Sequence, residues 1–369
     1  MKVLLLAGEE SGQIYAKRLG ELLAERGHEI RGFGDYGFRT SDLAVIGFAA
    51  IVKRLGYFMG VKRTMEKAVD EWKPDVVCTV DYPGMNLKLA AYAKSRGVRT
   101  VHVVCPQVWA WRAGRIPEIE ASLDALCCFF PFEPLLFKPG FATFVGHPLV
   151  DEFRRCRAAK RDSGDGRLLA VLPGSRIGEI ERILPTMLDA LDMLPGVRAV
   201  IPAANEGALE AIRGMIGGRP VEVRLGGARE LLLSADAAVV ASGTATLEAA
   251  LARCPTALVY KVDAVLAWFA RRVIKGVKHI GLANVVWEKS GMDGEQPMPE
   301  LLQEDFTAEK VAETVRPWLE DPAARNRAAA ALDAVSRRLE TGEAPILRIA
   351  EAILGESGGR GPRHDAGTE

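Results

Sequence analysis

No stretch of this chain approaches the roughly 18 uncharged apolar residues that a membrane-spanning helix needs. The opening MKVLLLAGEESG does not read as a secretory leader, because its apolar run is only Val3–Ala7 and two glutamates follow at once. A cytoplasmic location is the expectation. Net charge is absent too, with 48 Lys and Arg against 48 Asp and Glu. No global field then favours an anionic membrane or nucleic acid, and no nucleic-acid partner is expected. The six cysteines include no C-x-x-C pair, and Cys127 and Cys128 in the run ALCCFF read as buried thiols. There are five histidines and no cluster at metal-ligand spacing, so neither a metal nor a cofactor is expected, and His102 and His147 read as structural. No G-x-x-x-x-G-K-[ST] is present, which excludes a P-loop NTPase. No G-x-G-x-x-G is present either, which counts against a dinucleotide oxidoreductase.

What the chain does have is alternation. Short β-branched or aromatic runs at Lys2–Leu6, Glu29–Phe33, Asp75–Val80, Thr100–Val104, Ala125–Phe130 and Thr143–Val145 are mostly separated by helix-length amphipathic stretches. The polar segment RAAKRDSGDGR at 157–167 reads as a linker. Alternation then restarts at Leu168–Leu172 and continues through Val197–Ile201, Val221–Val223, Ala237–Val240 and Thr256–Val259. This pattern predicts an α/β protein of two Rossmann-like, doubly wound parallel-sheet domains facing across a cleft: residues 1–160, then 167–345 with C-terminal helices to about 354. The Gly-rich tail 355–369 reads as disordered. An exposed helical C-terminus is compatible with a homodimer.

In open parallel sheets ligands bind just beyond the carboxyl ends of strands, so strand-end loops are where chemistry is expected. Ser242, Gly243 and Thr244 open a helix after the run Ala237–Val240, and helix-start amides with two hydroxyls suit an anion. Glu248, one turn on, suits the two vicinal hydroxyls of a ribose, with an ordinary helical Glu as the plain alternative. Gly174, Ser175 and Arg176, in L-P-G-S-R, offer close backbone approach and a guanidinium fork for phosphate. In the first half, Ser11 and Gly12 follow the first strand. Asp81 ends DVVCTV as a candidate general base, and Asn86 is a helix cap or a ligand contact. The loop VCPQVWAWRAGR places Trp109, Trp111, Arg112 and Arg115 together, suiting a sugar face, an acyl chain and a phosphate, or else simply wedging the two domains. Phe48, Ile51, Val52, Leu55, Phe58 and Met59 recur at steps of three and four, with Lys62 and Arg63 beyond. That stripe fits either a core-facing helix or one lying in a membrane interface.

Taken in order, A-G-E-x-S-G (7–12), D-L-A-V-I-G (42–47), D-Y-P-G-M-N (81–86), P-Q-V-W-A-W-R (106–112), F-P-F-E (130–133), V-G-H-P (145–148), L-P-G-S-R-x-x-E-I (172–180) and A-S-G-T-A-T-L-E (241–248) resemble the lipid-A-disaccharide synthases, from about residue 3 to about residue 350. The resemblance implies a metal-independent, inverting glycosyltransferase of the GT-B type, peripheral to the inner face of the cytoplasmic membrane. Its substrates would be UDP-2,3-diacylglucosamine and 2,3-diacylglucosamine 1-phosphate, and its products a β-1,6-linked disaccharide 1-phosphate and UDP. It implies Asp81 as the base, with Arg176, Ser242, Gly243, Thr244, Glu248 and Asn284 on the donor side. Gln13 stands where the family usually has Asp, the loop GFGDYG is shorter than usual, and Ala283-Asn284 replaces Pro-Asn. Two rivals stay open. One is another UDP-sugar enzyme of this fold, such as a 2-epimerase. The other is an inactive UDP- or lipid-binding homologue, which Gln13 favours and Asp81, Arg176 and Glu248 oppose.

Overall fold

The computed structural model describes residues 1–7, 10–32, 35, 55–157, 167–263 and 276–356. It divides into two compact units, Met1–Gly146 with Thr341–Glu369, and His147–Glu340.

In the first unit β1 (Lys2–Ala7), β2 (Glu29–Gly32), β3 (Val76–Val80), β4 (Arg99–Val103), β5 (Ala125–Cys128) and β6 (Ala142–Phe144) form a parallel sheet in the order β2-β1-β3-β4-β5-β6. Central β1 is apolar at every position from Val3 to Ala7 because both its faces are covered. Val3, Leu5 and Ala7 meet Leu19 and Leu23 of helix Glu10–Glu25 on one side. Leu4 and Leu6 meet Val61, Met65 and Trp72 of helix Leu55–Trp72 on the other.

The second unit holds β7 (Arg167–Leu172), β8 (Val197–Ala203), β9 (Val221–Leu225), β10 (Ala237–Ala241), β11 (Thr256–Tyr260) and β12 (Glu300–Leu302) in the order β12-β11-β10-β7-β8-β9, again all parallel. Eleven of these strands fall on runs read from the sequence. The three-residue β12, Glu-Leu-Leu, does not.

The boundaries differ from the expected ones. The division falls after Gly146, not in the polar segment 157–167, of which 158–166 lie outside the described residues. The chain also returns. Helix Pro345–Leu354 puts Ile349, Ala350, Ala352 and Ile353 into the first unit's core beside Leu19, Leu23 and Val101. An amphipathic stripe must be buried somewhere, and sequence order does not say where. Gly146 marks the return: with φ +88° it sits so close that an added Cβ would lie 2.9 Å from Thr341 Oγ1. The helix whose exposure made a homodimer plausible buries one face, Pro345, Ile349, Ala350, Ala352 and Ile353, within its own chain. Residues 357–369, most of the expected disordered tail, lie outside the described residues.

Candidate active site

Each sheet has one point where successive connections reverse direction. In the first unit it lies between β1 and β3, where Ala7 pairs with Val80. In the second it lies between β7 and β10, where Leu172 pairs with Val240. Such switch points are where open α/β sheets bind ligands. The loops singled out from the sequence, after β3, β7 and β10, sit at them.

At the first switch point the backbone is strained. Asp81 and Tyr82 both adopt left-handed conformations, φ +54° and +48°, and neither is glycine. Each such residue costs on the order of 1–3 kcal/mol and persists only where its surroundings over-determine it. The surroundings do so here. Asp81 N–H donates to Val103 O (2.9 Å), and buried Asn86 donates from Nδ2 to Asp81 O (2.7 Å) and Val80 O (3.3 Å). Asp81 Oδ1 accepts the Tyr82 N–H at 2.7 Å, and the carboxylate stays partly exposed. Asn86 is thus a brace for the Asp81 turn, inside helix Pro83–Ser95. Gly12 is buried against the same strand end, and a Cβ there would stand 3.4 Å from Val80 Cγ1. It permits close packing. Gly8, Glu9 and the side chain of Ser11 lie outside the described residues.

The tryptophan loop leaves β4 through Val104, a β-branched residue at φ +78°. The two tryptophans have opposite fates. Trp109 is 9 % exposed. Its Nε1–H donates to Glu133 Oε1 (3.0 Å), and its ring stands edge-on to Phe130 and Phe132, which stack 5.7 Å apart. Trp111 is 39 % exposed and carries the Arg112 guanidinium 4.3 Å above its ring. Arg115 pairs with Glu118 at 3.1 Å. So Trp109 anchors the loop, while Trp111 and Arg112 are displayed. Glu133, which sequence reasoning left without a role although it ends F-P-F-E, is the hub: Phe130 N–H also donates to it, and burial pushes its carboxyl up to about 8. Cys105, Cys128 and Glu133 form the group of possible metal ligands found among the described residues, their ligand atoms within 4.8 Å of one another. Its hydrogen bonds run within the loops, Cys105 donating to Pro106 O at 3.3 Å, as in a buried brace.

At the second switch point two helix starts stand side by side in the sheet order. Helix Thr244–Ala252 begins after Gly243 with no side-chain cap and no acidic residue in its first turn. Helix Ile177–Asp192 begins after Arg176, and Glu179 turns back so that its carboxylate accepts the Ser175 and Arg176 amides. Gly174, at φ +109°, makes room for it, since a Cβ there would overlap the Glu179 carboxyl. The amides after β7 are therefore engaged, and the Ser175 hydroxyl and Arg176 guanidinium remain exposed for an anion. Glu248 lies one turn into the open helix, its carboxylate held by Arg229 at 3.2 Å.

Asn284 does not present itself as a donor contact. It is fully buried; Nδ2 donates to Met298 O (2.7 Å) and Glu300 Oε1 (2.8 Å), and Oδ1 accepts from Met298 N (3.0 Å). It ties helix Leu282–Lys289 to the entry of β12. His102 is fully buried and His147 half-buried, and desolvation pushes each down to about 4.

Of the membrane stripe, Phe48, Ile51 and Val52 lie outside the described residues, as do the side chains of Leu55 and Phe58. Met59 is 50 % exposed, Arg63 is exposed, and Lys62 pairs with Glu66 at 2.8 Å. Among the described residues no helix is long and apolar enough to cross a membrane.

The family model described as lipid-A-disaccharide synthetase matches residues 3–347. The lipid-A-disaccharide synthase of Chromohalobacter salexigens is 36 % identical over 96 % of this chain and 96 % of its own. That of Myxococcus xanthus is 35 % identical over 96 % and 97 %. Among solved structures, the UDP-GlcNAc 2-epimerase of Neisseria meningitidis bound to UDP-GlcNAc aligns with TM-score 0.60 at 13 % identity, covering 96 % of this chain and all of that one. The calicheamicin glycosyltransferase aligns with TM-score 0.60 at 16 % identity over 96 % and 98 %. At such identities the structural likeness speaks for the GT-B fold alone and does not choose between epimerase and transferase. The full-length sequence match does choose: the chain belongs to the lipid-A-disaccharide synthetase family, whose members are glycosyltransferases.

Proposed function

We propose that the protein transfers 2,3-diacylglucosamine from UDP to the 6-hydroxyl of 2,3-diacylglucosamine 1-phosphate, forming a β-1,6-linked disaccharide 1-phosphate and releasing UDP. In a single displacement the Asp81 carboxylate takes the hydroxyl proton as the oxygen attacks C1 of the donor sugar. The C1–O bond to the diphosphate breaks and its electron pair leaves with UDP. Charge developing on that leaving group is met by the open amides at the start of helix Thr244–Ala252, the Ser242 and Thr244 hydroxyls and Arg176. Glu248 accepts the ribose hydroxyls. On the acceptor side Arg112 holds the 1-phosphate and the exposed face of Trp111 carries sugar or acyl chain. Asn86 and Asn284 act through the backbone they brace.

The observation that supports this most directly is the placement of the β3, β7 and β10 loops at the switch points of their sheets. Because both substrates are acylated, we also place the protein on the inner face of the cytoplasmic membrane, with the half-exposed Met59 and exposed Arg63 among the contacts. The test is a mixed-micelle assay with both lipids and no added metal. Acceptor-dependent release of UDP with equimolar disaccharide is expected. UDP binding without product at several acyl lengths would mean that the chain is an inactive homologue.

A further inference from the structure

Sequence reasoning passed over Arg229, yet it occupies a built position. It lies in the first turn of helix Ala228–Ser234, which starts directly after Gly226 and Gly227, at φ +68° and +74°. Two consecutive left-handed residues swing the chain from the end of β9 into that helix, a turn glycine makes without steric cost. The guanidinium then spans two helices. One Nη donates to Glu248 at 3.2 Å and the other pairs with Glu152 of helix Pro148–Arg157 at 2.7 Å. The buried Phe153 ring lies 5.2 Å from its centre. Among the described residues its Nε is buried without a hydrogen-bond partner, and the two ion pairs and the ring hold it.

We propose that Arg229 is a positioning residue: by bridging Glu152 and Glu248 it fixes the Glu248 carboxylate in the orientation that accepts the ribose hydroxyls of the donor. The proposal rests on the reading of Glu248 as the ribose acceptor. A glutamate on a helix has three rotatable bonds, and a carboxylate free to sample them would lose part of its affinity to ordering. The planar two-armed fork removes that freedom in a way a single ammonium cannot. One oxygen of Glu248 is engaged, which leaves the other and the remaining lone pairs for two hydroxyls. The burial that orders Glu248 also raises its carboxyl pKa, and Arg229 opposes that rise.

The experiment compares binding of UDP and 2′,3′-dideoxy-UDP to the full chain by titration calorimetry. The quantity read is the ratio of the two dissociation constants, which a general loss of fold or of phosphate contacts leaves unchanged. Arg229→Gln is expected to weaken UDP by about tenfold and 2′,3′-dideoxy-UDP, which has neither hydroxyl, by less than about twofold, collapsing the ratio. Arg229→Lys should fall between. Glu152→Gln, which releases one arm, should lower the ratio by about threefold, and serves if Arg229→Gln does not fold. A wild-type ratio in a folded Arg229→Gln, or equal weakening of both nucleotides, overturns the proposal. Glu248→Gln separates the two ideas: if it collapses the ratio and Arg229→Gln does not, only the positioning role fails. If Glu248→Gln keeps the ratio, the ribose reading itself is wrong.

Discussion

The two switch points use different means to present their groups. In the first unit the groups proposed to act are a carboxylate and an exposed tryptophan–arginine pair, and both are held by residues packed behind them. A left-handed Asp81–Tyr82 turn is pinned by Asn86, and a displayed loop is pinned by Trp109 on Glu133. In the second unit the groups proposed to act are positive, an open helix start and Arg176, and little strain is needed because helix geometry itself points the amides. On the proposed reading, a proton acceptor must be aimed at one atom, which an over-determined backbone achieves. A leaving diphosphate is met by a field, which tolerates looser placement.

That contrast can be broken at either end. The largest effect is expected from Asp81→Asn, chosen because asparagine tolerates the left-handed backbone. It should lower kcat by about 10²–10⁴-fold with donor KM nearly unchanged, read in the micelle assay. A drop in kcat below tenfold would remove Asp81 as the base. Next, Arg176→Ala should lower kcat/KM by about 10–100-fold, and Arg176→Lys by less, because one charge persists without the fork.

On the acceptor side, Arg112→Ala should raise acceptor KM by about tenfold, whereas Arg115→Ala should change it by less than about twofold, since Glu118 already engages Arg115. Equal effects would erase the distinction drawn between them.

Glu133 gives a pH signature. Its folded carboxyl is raised from 4.5 to about 8, so the protonated form is the one the fold favours. Its contribution to stability is full below about 4.5 and is lost as pH rises through about 8, by up to about 1.4 kcal/mol per unit. Glu133→Gln should flatten that slope in chemical-denaturation curves taken between those pH values.

The smallest effect is the most pointed. Glu179→Gln takes a negative charge off the Ser175 and Arg176 amides and makes the engaged helix start resemble the open one. UDP should then bind about two- to fivefold tighter, while the fold loses about 0.5 kcal/mol of capping.

The sequence by itself determined the periodic features. Continuous apolar runs such as Val3–Ala7 meant strands covered on both faces, and the β3, β7 and β10 loops could be named as candidates because their Gly, Ser, Asp and Arg follow strand ends, where open parallel sheets bind ligands. Tertiary structure alone decided the pairings. Whether Trp109 or Trp111 faces outward depends on a glutamate 24 residues from Trp109. Asn284 reads as a donor contact until Met298 and Glu300 engage its amide. Helix Pro345–Leu354 belongs to the first unit because Ile349 and Ile353 fit beside Leu19 and Leu23, although some 200 residues of chain separate it from the rest of that unit. Arg229 was invisible because its partners come from two other helices. Periodicity records which face of an element is buried. What it is buried against is a matter of shape and long-range contact, and no local pattern carries that.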